Sequence, residues 1–190
     1  METRTDRRIL RTKKAINKAF LELFEEKEFD RITINDITER ADVNRGTFYL
    51  HYTDKYALLA QCIDDHLSGM FNSPGFSKFM EKDVEEAETI EGLRTLFLYV
   101  EENFSLFFSL LSNRRTSTFR ERMLLVITSL IQDKIDMDGV NQNMDKTLIV
   151  DFMALAFVGT VENWIINGMP QPPQLMAEQM WVLLKRNGIK

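Results

Sequence analysis

Residues 41–59 read Ala41-Asp42-Val43-Asn44-Arg45-Gly46-Thr47-Phe48-Tyr49-Leu50-His51-Tyr52-Thr53-Asp54-Lys55-Tyr56-Ala57-Leu58-Leu59. Asp42-Val43-Asn44 breaks the pattern, and the side-chain oxygen of Asn44 suits the cap of a new helix from Arg45 to about His51. Within that helix Phe48 and Tyr52 stand four apart on an inward face. Arg45, Gly46, Thr47, Tyr49 and His51 are left on a face rich in hydrogen-bonding groups. Thr53-Asp54 is a second break, with Asp54 as cap of a longer helix from Lys55 to about Met70 through Leu58, Leu59, Ile63 and Leu67. Upstream, Thr33 and Asp36 have the spacing of a capping box and begin a helix that runs through Ile37 to about Ala41. Two short helices across a tight turn form a helix-turn-helix, whose second member enters the DNA major groove.

Ahead of this unit, Ile9, Ile16, Phe20, Leu23 and Phe24 recur at helical spacing between Asp6 and Glu26. The first turns of that helix are cationic: Arg4, Arg7, Arg8, Arg11, Lys13 and Lys14 face only Glu2 and Asp6. Cations at a helix N-terminus gain nothing from the helix dipole, so a phosphate partner accounts for them better than local electrostatics does. The net charge of −5 over 190 residues hides this asymmetry. Residues 1–56 hold twelve Lys or Arg against eleven Asp or Glu, whereas residues 57–190 hold twelve against eighteen. With 44% apolar residues, 28% charged, eight Gly and four Pro, the composition excludes low-complexity disorder and favours an all-α protein of about nine helices. A single cysteine, Cys62, rules out an internal disulfide, and the polar first twenty residues lack a secretory core, so the expected compartment is the cytoplasm.

The run Phe29-Asp30-Arg31-Ile32-Thr33-Ile34-Asn35-Asp36-Ile37, followed by Ala41 to Leu59 as quoted, resembles the DNA-binding domain of the TetR/AcrR family of transcriptional regulators. Caps, turn, aromatic pair and lysine keep the family's order over roughly residues 5 to 65. The resemblance implies an all-helical homodimer with a three-helix DNA-binding head at residues 1–55 and a regulatory and dimerisation domain at 56–190. It also implies a repressor that binds a palindromic operator on double-stranded DNA and is released by a small-molecule effector, which the Phe and Met residues of the second domain lead us to expect to be apolar or aromatic. The family's base-reading and phosphate-touching positions fall on Asn35, Asn44, Arg45, Gly46, Thr47, Tyr49, His51 and Lys55. Leu50-His51 departs from the common pattern, which leaves open which of the two touches DNA.

Beyond residue 71, Asn72-Ser73-Pro74-Gly75 signals a turn, and Glu81, Asp83, Glu85, Glu86 and Glu88 form an acidic run that reads as a connection. Apolar helices then dominate. Phe97, Phe104, Phe107, Phe108, Phe119, Met123 and Met153 describe either an apolar ligand pocket or a filled core, since Phe and Met at helical spacing suit both. Leu148 to Ile166 is the most apolar stretch, but Asp151 and Glu162 leave a charge-free core of only ten residues, too short to cross a bilayer. A helix apolar on nearly all sides needs a second cover, and another subunit supplies one. Phe152, Ala156, Gly159 and Thr160, with Met176, Met180, Trp181 and Leu184 of the last helix, are the expected seam. This segment, through Trp164, Asn167-Gly168-Met169-Pro170 and Pro172-Pro173, is similar to the C-terminal domain of the TetR branch of dihydroxyacetone kinase regulators.

Enzyme chemistry has no signature here: there is no nucleophile with its base, no phosphate-cradling Gly loop and no metal set. Cys62 and His66 stand four apart on one helix with Asp65 nearby, but two ligands at helical spacing do not make a metal site, and no cofactor is expected. The rival reading is a helical co-activator or adaptor that keeps the fold and acts through protein partners.

Overall fold

The computed structural model describes residues 4–79, 84–112 and 117–189. Among them are ten α-helices: α1 Arg4–Glu26, α2 Ile34–Arg40, α3 Arg45–Tyr49, α4 Lys55–Phe71, α5 Pro74–Phe79, α6 Glu86–Glu102, α7 Phe104–Ser112, α8 Ser117–Lys134, α9 Lys146–Ile166 and α10 Pro173–Arg186. Short 3₁₀ turns stand at Phe29–Arg31 and Gly139–Asn141. The helix absent from the sequence reading is α5. The expected turn is present at Asn72-Ser73, but Pro74 then opens a helix, where its missing N–H costs nothing, and Ser73 Oγ accepts from the Phe76 amide at 3.2 Å. Phe76 is fully buried and packs edge-on against Phe71, which holds the segment in place. Of the acidic run, Glu81 and Asp83 lie outside the described residues, while Glu86 and Glu88 stand in the first turn of α6, where the helix dipole favours them.

The chain divides into two units, residues 1–66 and 67–190, and the division falls within α4. In the first unit α1 buries Ile16, Ala19, Phe20, Leu23 and Phe24, and Phe29, Ile32, Ile37, Phe48 and Leu58 complete the core. Phe20, Phe24 and Phe29 meet at ring separations of 5.7 to 6.2 Å. In the second unit α6 packs on α5 and α10, while α8 and α7 pack on α9. Trp181 Nε1 and Lys185 Nζ both donate to the Glu86 carboxylate, at 2.9 and 2.6 Å, and tie α10 to the start of α6. Asn141, itself buried, donates from Nδ2 to the carbonyls of Asp136 and Asn187 and so fastens the C-terminal segment.

Helix α9 is the one helix among the described residues long and apolar enough to cross a membrane by length and composition. Half of its most apolar window is buried within the chain, by Ile149, Val150, Met153, Ala154, Phe157, Val158, Val161 and Trp164. That is the pattern of a core helix with one face left over.

The capping box expected at α2 is present: the Asp36 amide donates to Thr33 Oγ1 at 3.2 Å and the Thr33 amide to Asp36 Oδ2 at 2.8 Å. Lys27 Nζ also donates to that carboxylate at 2.8 Å. The Lys27 hydrogen bond first, and the Thr33 amide and hydroxyl after it, hold the Asp36 carboxyl down from its ordinary 3.8 to about 2. A folded-state value below the unfolded one means that this stabilisation is complete above about pH 4 and is lost as the pH falls through about 2. Melting temperature against pH should therefore fall more steeply in that window for the wild type than for Asp36→Asn. Parallel curves would show the box to be energetically idle.

Candidate nucleic-acid interface

Helix α3 has only five residues and is held in place by its neighbours. Asn44 caps it, accepting from the Gly46 amide at 3.1 Å through Oδ1. The preceding turn puts Asp42 in the left-handed region at φ 51°, a conformation aspartate tolerates better than most residues. Beneath the helix, Phe48 is fully buried and its ring lies 5.7 Å from that of Tyr52. Tyr52 donates its hydroxyl to Asn17 Oδ1 at 2.8 Å, and burial pushes its phenol up to about 12. Asn17 Nδ2 in turn reaches Asp65 Oδ2 at 3.4 Å, and Gln61 donates to the other oxygen of Asp65 at 2.9 Å. This polar relay fastens the end of α3 to both α1 and α4. Sequence reasoning missed Asn17 and Gln61, which read only as polar positions on amphipathic helices, and weighed Asp65 only as a neighbour of Cys62 and His66.

The outward face of α3 is polar and exposed. Arg45 donates from Nη1 to Asn35 Oδ1 at 3.2 Å and from Nη2 to the Tyr49 hydroxyl at 3.1 Å, and its guanidinium sits 5.6 Å from the centre of the Tyr49 ring. The structure thus brings together three of the expected residues, one from α2 and two from α3. Gly46 is exposed, and a methyl built on it meets nothing closer than Asn44 Oδ1 at 3.8 Å. The protein's own fold does not require a glycine there. Thr47 is half-buried beside it. Leu50, at 81% exposure, projects from the end of α3, whereas His51 is half-buried with its ring 6.4 Å from that of Tyr52. The side chains of Arg7, Arg8, Arg11 and Lys14 on α1 are exposed.

Lys55 behaves differently from the expectation that it offers its charge to a phosphate. Its ammonium donates to the carbonyls of Phe29, Ile32 and Asp30 at 2.9, 2.8 and 3.1 Å and lies 4.7 Å from the centre of the Phe29 ring. Three acceptors match the three protons of an ammonium. Lys55 therefore closes the 3₁₀ turn between α1 and α2. A lysine in the first turn of a helix is unfavourably placed for the dipole, and that is the signal that its partners lie elsewhere in the fold. Cys62 is buried in α4, where burial and the nearby Asp65 push its thiol up to about 12. Among the described residues no three His, Cys, Asp or Glu side chains gather as a metal site would require.

In the second unit the aromatic residues fill their own space. Phe97 stacks on Phe157 at 6.5 Å and meets Trp164 edge-on at 5.4 Å, and Phe107 lies 5.4 Å from Phe119. Met123 and Met153 are buried among them, while Phe104 and Phe108 pair at 5.5 Å nearer the surface. An apolar cavity of about 20 Å³ does exist, but Phe76, Leu93, Ile127, Ile131, Phe157 and Leu184 line it, and none of the seven expected pocket residues does. On α9, Phe152, Ala156 and Thr160 are exposed and Gly159 half-exposed, joined by exposed Leu148, Leu155 and Ile166. The expected α10 residues turn the other way. Trp181 and Leu184 are buried in the chain's own core, and Met176 and Met180, also buried, floor a groove of about 230 Å³ between α9 and α10. The outward apolar residues of α10 are Leu175, Val182 and Leu183.

Two family models match the chain: bacterial regulatory proteins of the tetR family over residues 16–62, and a transcriptional regulator C-terminal region over residues 87–186. The uncharacterized HTH-type transcriptional regulator YxbF of Bacillus subtilis (strain 168) is 40% identical over 97 residues, a match covering 47% of this chain and 25% of that protein. The chain thus spans only a quarter of YxbF. The probable acrEF/envCD operon repressor of Escherichia coli (strain K12) is 24% identical over 187 residues, covering 88% of this chain and 82% of the other. Among solved structures, the dihydroxyacetone kinase operon activator DhaS superposes with a TM-score of 0.69 at 20% identity, over 92% of this chain and 94% of that one.

Proposed function

The chain belongs to the TetR family of DNA-binding transcriptional regulators, and from that premise we propose that it acts as a cytoplasmic homodimer that lays α3 of each subunit in successive major grooves of an imperfectly palindromic operator and represses by occupying it. The observation that carries this reading is the outward face of α3, where Arg45 is held between Asn35 and Tyr49 beside an exposed glycine that the fold itself does not need. Residues 1–55 take the DNA-binding role and 56–190 the regulatory and dimerising one. Asn44 and Gly46 bring the helix close to the duplex, Thr47 offers its hydroxyl to a phosphate, Tyr49 stands with Arg45 toward the bases, and Arg7, Arg8 and Arg11 add charge from α1. Leu50 is the better placed of the Leu50-His51 pair to touch the groove, because it stands free of the fold.

Selection of bound fragments from random duplex DNA, followed by electrophoretic shift on the selected sequence, tests the proposal. The expected result is a palindrome whose half-sites are centred about one helical turn, roughly 34–36 Å, or more apart. Affinity should fall steeply with salt, because a net-acidic protein meets DNA only through its local basic face. No preference for any duplex over competitor at low ionic strength would overturn it. Gly46→Ala gives a sharper check, with effects of opposite sign. It should stabilise the free protein by up to about 1 kcal/mol, since alanine outranks glycine within a helix and the added methyl meets no obstacle. It should also weaken operator binding by about tenfold, as the methyl keeps α3 from its contacts. Unchanged affinity would remove the close approach.

A small apolar effector needs more room than the apolar cavities of about 20 Å³ and, beside Met153 between α9 and α10, about 60 Å³ provide. That packing favours a second reading for control alone, in which a protein partner replaces the effector. A panel of apolar and aromatic compounds that raises the melting temperature and releases the operator would restore the effector; a flat response supports the partner.

A further inference from the structure

We propose that Asn35 and Tyr49 are positioning residues for specificity: they aim Arg45 at the paired acceptors O6 and N7 of a guanine, at one G·C pair in each half-site. The proposal rests on the reading that α3 enters the major groove. Tyr49 is anchored by the edge-on packing of its ring against buried Phe48, 5.6 Å away. Its hydroxyl and the Asn35 carbonyl oxygen each accept one Arg45 hydrogen bond, so a long side chain that would otherwise sample many rotamers is held between two elements.

The donor count then selects the base. The guanidinium has five N–H groups, and with two engaged by Asn35 and Tyr49 three remain. The Tyr49 hydroxyl accepts from Arg45 and keeps its own proton to give. Asparagine reads adenine through its carbonyl and amide together. Here the carbonyl of Asn35 is taken by Arg45, and only its amide is left to donate. What remains is therefore an array of donors. On the major-groove edge adenine offers one acceptor beside a donor, thymine one acceptor beside a methyl, and cytosine a donor; only guanine offers two adjacent acceptors. Two neighbouring donors of the array can meet both acceptors of guanine, whereas every other base offers them one acceptor at most.

The test uses the full chain, Tyr49→Phe and Asn35→Ala, each put through selection from random duplex DNA and then titrated on the wild-type operator with guanine or 7-deazaguanine at the selected position. Wild type should enrich one guanine per half-site, and 7-deazaguanine there should weaken binding about five- to tenfold. Tyr49→Phe and Asn35→Ala should melt near wild type and bind mismatched competitor DNA as wild type does, with the same salt slope. Their preference for guanine should shrink to within about twofold of the other bases. A uniform loss on all sequences with a salt slope shallower by about one would make the cluster a phosphate clamp and overturn the proposal. An undiminished guanine preference in both variants would overturn it as well. Absence of binding by wild type to any duplex would overturn the functional reading itself, and this proposal with it.

Discussion

Phe152→Glu is expected to convert the proposed dimer to monomers and to lower operator affinity at least about a hundredfold, the largest effect foreseen for a single substitution outside α3. Phe152 is 63% exposed on α9, with Leu148 and Leu155 exposed on the same helix and Val182 and Leu183 on α10. Large apolar side chains grouped in this way mark a contact surface. A carboxylate in the middle of that surface would have to be buried without a counter-ion, which costs far more than the lost ring contact. The loss on DNA follows from linkage: once one subunit is bound, its tethered partner meets the second half-site at high effective concentration, and a monomer forfeits that gain. Analytical ultracentrifugation reads the assembly state directly. Melting should also lose its dependence on protein concentration, as expected when association no longer stabilises the fold. A variant that stays dimeric would move the interface away from α9.

The second large effect falls on stability. Lys55→Met is expected to destabilise the DNA-binding unit by about 1–3 kcal/mol, because the carbonyls of Phe29, Asp30 and Ile32 lose their shared donor. Methionine keeps the length and apolar stem but brings no proton. Arginine should rescue poorly, since a planar guanidinium cannot deliver three hydrogen bonds to acceptors converging on one nitrogen. DNA binding should weaken in step with unfolding and return on cooling. A lysine that only touched phosphate would behave oppositely: the melting temperature would hold and the salt slope would drop by about one. Circular dichroism melts alongside binding isotherms at several salt concentrations separate the two.

Where structure follows from neighbours in sequence, the chain could be read directly. The Thr33–Asp36 box, the Asn44 cap, the Asp54 cap and the inward pair Phe48 and Tyr52 all involve residues within four positions of each other. Lys55 could not be read in this way, because its acceptors lie 23 to 26 residues upstream. Residue type alone did not say whether it faces solvent or carbonyls. On α10 both stripes are apolar, so Met176 and Met180 are indistinguishable in kind from Leu175 and Leu183 until packing against α6 determines which face turns inward. The aromatic cluster was ambiguous for a related reason: pocket and filled core use the same side chains and differ only in whether those from several helices meet. Ser73-Pro74 illustrates a signal with two meanings, turn or helix start, decided by whether Phe76 finds a place to bury.

The buried state of Cys62 has a practical corollary. The sole sulfhydryl in the chain is shielded by α4 and its surroundings and kept protonated, so maleimides and related alkylating dyes should find nothing to attack in the native molecule. A Leu50→Cys substitution would then present one reactive handle at the tip of the reading helix, and a fluorophore attached there would report duplex engagement without background labelling.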